Sequence, residues 1–229
     1  KTLVRQTCAQ DYTLVPACKL AVMPDAVSFE DAAMLAGIVD ALNAFELMGL
    51  KAGDDIAILG VGAMGQGAIA AAVAKDLNVT ALGGTGKRVD MAAALGAAVV
   101  PIASHGEDLR EKALAITDHG FDAIIETTAS EWGMVQAFAI AAPGAVVALT
   151  GGGPLPLTSW DMVDRELRIV GVRAGHHQAE AMELIASGKL SLQSTVSGRF
   201  ALDQAADAFA ALAGEGAKDI GRFIIQIGQ

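Results

Sequence analysis

The sequence predicts an α/β fold: a doubly wound, parallel, six-stranded sheet with remnants of a second, β-rich lobe at both ends. Three observations carry this. Short apolar runs alternate with helical stretches between residues 56 and 172. The apolar run 56–59 passes straight into Gly60-Val61-Gly62-Ala63-Met64-Gly65 and then into an alanine-rich stretch, 68–74. The segments before residue 30 and after residue 190 exceed what six strands and their crossovers require.

Taken in order, Asp11-Tyr12-Thr13-Leu14-Val15 reads as a strand stopped by Pro16, and Leu20-Ala21-Val22-Met23 as a second one before Pro24. Ser28 is a good helix N-cap, with Asp31 three residues on. A broken helical stretch then runs to Met48, and Gly49 closes it. After the strand at 56–59, further strands are expected at 79–82, 98–100, 121–126, 145–149 and 168–172. Helices are expected at 88–95, 107–116 and 130–141, and Gly151-Gly152-Gly153-Pro154 reads as a loop. Right-handed crossovers make such an alternation a parallel sheet covered on both faces. Beyond it come a helix at 178–187, a strand at 195–200, a helix at 202–212 and a last strand at 222–227. The expected divisions are residues 1–29, 30–190 and 191–229.

Gly60-x-Gly62-x-x-Gly65 lies between a strand and a helix, where the dinucleotide fingerprint of a Rossmann domain has to lie. Gly60 permits the tight turn, Gly62 lets the backbone approach a pyrophosphate, and Gly65 lets helix and strand pack closely. The free N–H groups at Ala63, Met64 and Gly65 then face the phosphates along the helix dipole.

Composition narrows the rest. A 229-residue chain with 53% hydrophobic and 18% charged residues suits a buried α/β core. Its net charge of −10 excludes nucleic acid as the main partner. No uninterrupted apolar run reaches membrane-spanning length, and Lys1-Thr2-Leu3-Val4-Arg5 lacks the apolar core of a secretory signal. Two nearby cysteines, Cys8 and Cys18, fit reduced thiols better than a disulfide scaffold, which points to the cytoplasm. They also fall short of a four-ligand structural zinc site.

The order of several motifs resembles the medium-chain dehydrogenase/reductase superfamily. Ala9-Gln10-Asp11-Tyr12-x-Leu14-Val15-Pro16 resembles its last strand before the nucleotide domain, and residues 23–33, Met23-Pro24-Asp25 onward, its connecting turn and helix. Leu50-Lys51-Ala52-Gly53-Asp54, the fingerprint, Ala94-Leu95-Gly96-Ala97, Phe121-Asp122, Gly144-x-Val146-Val147 and Gly221-Arg222 follow at family spacing. The resemblance covers nearly all of the chain and is specific to superfamily, not to substrate. It implies a catalytic lobe of roughly one hundred residues ahead of Lys1, holding most of the substrate site. It also implies hydride transfer between a nicotinamide cofactor and a small carbonyl, alcohol or activated alkene. A homodimer or tetramer joined along the sixth strand, Arg168 to Val172, is implied as well.

Which nicotinamide is read from the second strand. The acid that bonds the ribose 2′-hydroxyl in NAD enzymes would fall on Gly83, and no carboxylate follows until Asp90. The loop instead reads Gly83-Gly84-Thr85-Gly86-Lys87-Arg88, in which a hydroxyl and two cations suit a 2′-phosphate. NADP(H) is therefore expected ahead of NAD(H). Thr127 and Thr128 after the fourth strand, and Leu149, Thr150 and Gly151 after the fifth, lie at the strand ends where cofactors bind; plain strand-end capping explains them equally well. Arg173 and Arg222 match positions where relatives hold cofactor phosphates.

Zinc is not expected. The resemblance places a third zinc ligand at Ala36, and alanine cannot ligate a metal. Asp40 falls where many relatives carry a threonine near the nicotinamide. His176 and His177 point apart on regular backbone, so the pair makes a poor metal site. No protein nucleophile is required and no catalytic residue is assigned, since the cofactor carries the chemistry. A zinc-dependent polyol dehydrogenase, a cofactor-binding module without catalysis and a methyltransferase remain as rivals.

Overall fold

The computed structural model describes residues 2–4, 14–17, 20–104, 106–155, 157–173 and 175–227. Cys8, Cys18, His105 and most of the strand expected at 11–15 lie outside these residues; the described part of that strand, 14–15, is irregular. Among the described residues no helix is long and apolar enough to cross a membrane.

The chain opens with β1 (Thr2–Val4) and β2 (Leu20–Val22), an antiparallel pair. The short helix α1 (Phe29–Ala33) follows, capped as expected by Ser28 Oγ, which accepts from Asp31 N–H. Met34, at φ −93° and ψ 0°, breaks the helix and starts α2 (Leu35–Met48), which ends at left-handed Gly49.

The sheet is made by β3 (Asp55–Leu59), β4 (Asn78–Gly83), β5 (Ala98–Pro101), β6 (Phe121–Glu126), β7 (Ala141–Leu149) and β8 (Arg168–Gly171). Their order is β5-β4-β3-β6-β7-β8, all parallel, so chain direction across the sheet reverses at the β3/β6 crevice. Ile56, Ile58 and Leu59 are fully buried between helices on both faces; each contributes about 1.5–3 kcal/mol by burial. The crossovers are α3 (Ala63–Ala74), α4 (Lys87–Ala94), α5 (Leu109–Leu114), α6 (Glu131–Ala139) and α7 (Ser159–Arg165).

α2 and α3 meet backbone to backbone. A Cβ on Gly67 would sit 2.9 Å from the Gly37 Cα, and one on Gly37 would sit 3.3 Å from the Met64 carbonyl oxygen. Glycine is required at Gly67, and the contact draws α2 over the start of α3.

The tail supplies α8 (Gln178–Ala186), β9 (Val196–Ala201), α9 (Ala205–Ala213) and β10 (Arg222–Gln226). β9 and β10 form their own parallel pair, separate from the six-stranded sheet. Arg199 on β9 makes two bonds to the Glu30 carboxylate on α1, at 2.7 and 2.8 Å. That arginine holds the Glu30 carboxyl below the ordinary range.

Four differences from expectation have local causes. α5 is shorter than residues 107–116, because Asp108 caps it while Glu107 folds back to accept from the Ala103 and Ser104 N–H groups. β7 starts at Ala141 rather than 145, carried across Pro143 and left-handed Gly144 by a register shift against β6. The stretch from Leu202 begins as a 3-10 turn, and α9 proper starts at Ala205. α7 was not anticipated; its signal is Thr158 with Asp161, a capping box with both bonds formed.

Candidate functional site

The fingerprint turn is built as its spacing requires. Gly60 has φ +107°, and a Cβ there would come within 2.5 Å of Thr127 Oγ1. A Cβ on Gly65 would overlap the Gly60 carbonyl oxygen. At Gly62 a Cβ would meet nothing within 4 Å, so this face of the turn is open. Gly62 is the N-cap of α3 and brings no side chain to it. The first intrahelical bond runs from Gln66 N–H to the Gly62 carbonyl at 2.9 Å. The N–H groups of Ala63, Met64 and Gly65 therefore lie ahead of the intrahelical ladder and aim outward with the helix dipole.

Arg222, at the start of β10, reaches this helix end from the far end of the sequence. Its guanidinium donates to Gln66 Oε1 and Thr195 Oγ1, each at 2.8 Å, and to the Ala63 carbonyl. Gln66 and Thr195 are fully buried, and Thr195 passes its own hydroxyl proton to the Leu192 carbonyl at 2.7 Å. All of these partners are neutral. Desolvation consequently lowers the Arg222 guanidinium below its usual range, to about 10. A half-buried cation among neutral acceptors beside a helix N-terminus has the chemistry to suit an anion.

A cleft of about 440 Å³ opens from the same corner. Its walls include Gly60, Gly83, Gly84, Thr85, Ser104, Thr128 and Trp132, with Lys218 contributed by the tail. Gly83 is packed shut: a Cβ there would lie 2.5 Å from Val61 Cγ2. Gly84, by contrast, faces open space.

One of the arginines expected to hold phosphate does other work. Arg88 Nε donates to the Ile220 carbonyl and its Nη2 to the Ala217 carbonyl, both at 2.6 Å. It ties α4 to the tail rather than standing ready for a ligand. Arg173 follows β8, three strands from β3, or about 14 Å at about 4.8 Å per strand; it does not join the phosphate corner. Lys87 stands at the start of α4 with an exposed side chain. Its N–H donates to Asp219 Oδ1 at 3.0 Å. Asp219, which sequence spacing gave no reason to single out, thus places a carboxylate on the α4 N-terminus at left-handed Gly86.

The threonines close the crevice floor. Thr127 Oγ1 donates to the Leu59 carbonyl at 3.0 Å, and Thr150 Oγ1 to the Glu126 carbonyl at 2.9 Å. Thr128 bonds Glu126 through its N–H, at 2.7 Å, and through its hydroxyl. Glu126 is a fully buried carboxylate at the end of β6, further accepting from Ala129 N–H at 3.2 Å. The Leu149 carbonyl accepts from Val172 N–H at 2.9 Å, and Gly151 packs against the Ala129 side chain. The hydroxyls of these three threonines knit strand ends together, which is the plainer of the two roles expected.

Ala36, the place of the third zinc ligand by resemblance, is exposed on α2, and its methyl group offers no electron pair. The residues present at that position do not fit a zinc ligand set. The adjacent histidines correct an expectation: they do not point apart. Their segment is a turn, not a strand or helix, and the rings stack at 4.8 Å with 20° between planes.

Comparison with known proteins agrees with this geometry. The sequence model described as zinc-binding dehydrogenase matches residues 63–187, more than half of the chain. Sorbitol dehydrogenase of Bacillus subtilis (strain 168) is 29% identical over 193 residues, which make up 81% of this chain and 54% of that enzyme. A putative zinc-binding dehydrogenase from Sinorhizobium meliloti 1021, solved bound to NADP, superposes with a TM-score of 0.83 at 22% identity, covering 96% of this chain and 66% of that one. An alcohol dehydrogenase from Escherichia coli CFT073, solved with NADH, gives 0.83 at 19% identity over 93% of this chain and 64% of that one. At such identities the two structures speak for the fold. The chain spans about half the length of the curated relatives it matches.

Proposed function

Because the chain belongs to the zinc-binding dehydrogenase family, we propose that it is the cofactor-binding part of an NADP(H)-dependent oxidoreductase acting on a small alcohol, polyol or carbonyl compound. The observation that carries this reading is Arg222, a half-buried cation with no carboxylate partner among the described residues, set against the open N-terminus of α3. A dinucleotide pyrophosphate supplies the missing charge and fills the open N–H groups of Ala63, Met64 and Gly65. The bound nicotinamide would supply the hydride chemistry. The chain's residues bind and orient: the three glycines let the backbone come close, and Thr127, Thr128 and Thr150 fix the crevice along which the ring would lie.

Selection between the two nicotinamides rests on charge around the 2′ position. Gly83 presents no acid, and Thr85, Lys87 and Lys218 favour a phosphate, whereas Asp219 opposes it. The net preference for NADPH over NADH is accordingly modest. We derive no step through zinc, since Ala36 gives it nothing to bind. The free edge of β8, flanked by exposed Trp160 and Val163 on α7, is our candidate for a contact between copies of the chain.

Calorimetric titration of the chain with NADPH and NADH tests the reading. Binding of both, with NADPH severalfold tighter, is expected. Equal affinities would remove the 2′-phosphate assignment, and no binding of either would overturn the whole.

A further inference from the structure

The loop after β8 and the C-terminal half of α2 bring three metal-ligating side chains together. Donor atoms of Glu46, His176 and His177 all lie within 4.8 Å of one another. Glu46 stands ten residues along α2 from Ala36, about 15 Å at the helical rise, so this cluster is separate from the family's ligand position. His177 is the centre of it, with its side chain 12% exposed. Its Nε2 is buried and has Glu46 Oε2 at 2.9 Å, yet the two are out of line for a hydrogen bond. Close approach without alignment is how a nitrogen lone pair and a carboxylate sit when both face a third body.

The other ring nitrogen is already oriented. His177 Nδ1 faces Glu180 Oε2 at 3.0 Å, and Lys75 Nζ pins the same carboxylate at 2.8 Å through Oε1. A carboxylate held in this way by the Lys75 ammonium accepts, and Nδ1 donates to it. A proton on Nδ1 leaves Nε2 as the lone-pair nitrogen. Carboxylate, histidine and open lone pair in sequence is the outer-shell arrangement that orients metal-bound imidazoles. His176, stacked on His177 in the turn and exposed, adds the second imidazole from the solvent side.

We propose that Glu46, His176 and His177 form a binding site for a borderline divalent metal ion, with Zn²⁺ as the best match and Ni²⁺ close behind. Two imidazoles and one carboxylate are the donor set these ions favour. Ligands on tetrahedral Zn²⁺ lie about 3.4 Å apart, so the present spacing closes by no more than about 1.5 Å. Any proton shared between Nε2 and Glu46 leaves to solvent as the ion enters, and water completes the coordination. The bound ion would clamp the end of α2 to the turn that starts α8.

The test is titration of the whole chain with ZnSO₄ against a chromophoric chelator of micromolar affinity, repeated with NiSO₄. One ion per chain is expected. His176→Ala, on the exposed ligand, and His177→Gln should each weaken it by about tenfold or more, and Glu180→Gln by about ten- to a hundredfold through the outer shell. His119→Gln, elsewhere on the surface, should leave it unchanged. NADPH affinity measured in parallel should stay constant, which shows that each variant is folded. No uptake by the unaltered chain, or uptake unaffected in the His176→Ala variant with NADPH binding intact, would overturn the proposal.

Discussion

Two helix N-termini follow turns that line the same cleft, at Gly60 and at Gly84 and Thr85, and their difference is instructive. Gly62 precedes α3 and Gly86 precedes α4, and neither brings a capping side chain. At α3 the half-buried Arg222 guanidinium donates to the Ala63 carbonyl and Gln66, and the N–H groups stay open. At α4 the tail delivers the opposite charge: Asp219 takes the Lys87 N–H, while Arg88 is turned away onto carbonyls of residues 217 and 220. Identical backbone devices become an anion receptor in one place and a closed cap in the other. The tail, not the glycines, decides which.

The contrast can be broken in a graded series. The largest effect is expected from Gly65→Ala, whose methyl would overlap the Gly60 carbonyl and force helix and strand apart. Loss of more than about a hundredfold in affinity for both cofactors, or about 3 kcal/mol, is expected by calorimetry. Arg222→Gln should come next. It removes hydrogen bonds to a charged ligand, worth about 1.5–3 kcal/mol, and so about ten- to a hundredfold in both affinities; an unchanged affinity would refute the phosphate receptor.

Asp219→Asn should sharpen the comparison instead, by removing the carboxylate that caps the Lys87 N–H; Asp90, in the first turn of α4, stays in place. NADPH affinity should rise about three- to tenfold with NADH little altered, a change of about 1 kcal/mol typical of a screened surface charge. Gly83→Asp is not the simple switch that sequence spacing suggests, because the new side chain strikes Val61. Alone it should weaken both cofactors; combined with Val61→Ala it should turn preference toward NADH in the same titration.

The smallest effect concerns the tie between tail and α1. Glu30 sits below its ordinary value of 4.5 because Arg199 bonds it. A lowered carboxylate contributes stability that is present above the unfolded value and fades as pH falls through the folded one. Thermal melting from pH 6 to pH 3 should therefore show a loss below about pH 4.5 that Glu30→Gln lacks.

Local signals made most of this legible from sequence. Gly60, Gly62 and Gly65 announce their roles through spacing alone, and Ser28 and Gly49 mark helix ends by chemistry confined to one turn. What stayed hidden depends on residues far apart in the chain. Nothing near Lys87 reveals that Asp219, 132 positions on, will cap it, or that Arg88 will be drawn into the same segment. Gln66 reads as one more helix residue until Arg222 is seen against it. His176 and His177 misled because alternation was assumed for a stretch that folds as a turn. Resemblance singles out Arg222 and Arg173 alike by position along the chain; the strand order, which it does not carry, sets Arg222 beside α3 and Arg173 after the edge strand β8.

The contact between Gly37 and Gly67 has a mechanical meaning. With no side chain between them there, α2 cannot slide along α3 without backbone striking backbone, so this contact fixes the register of the two helices. The bend in the chain ahead of α2 is made instead at Met34, which ends α1 and starts α2 within a single residue.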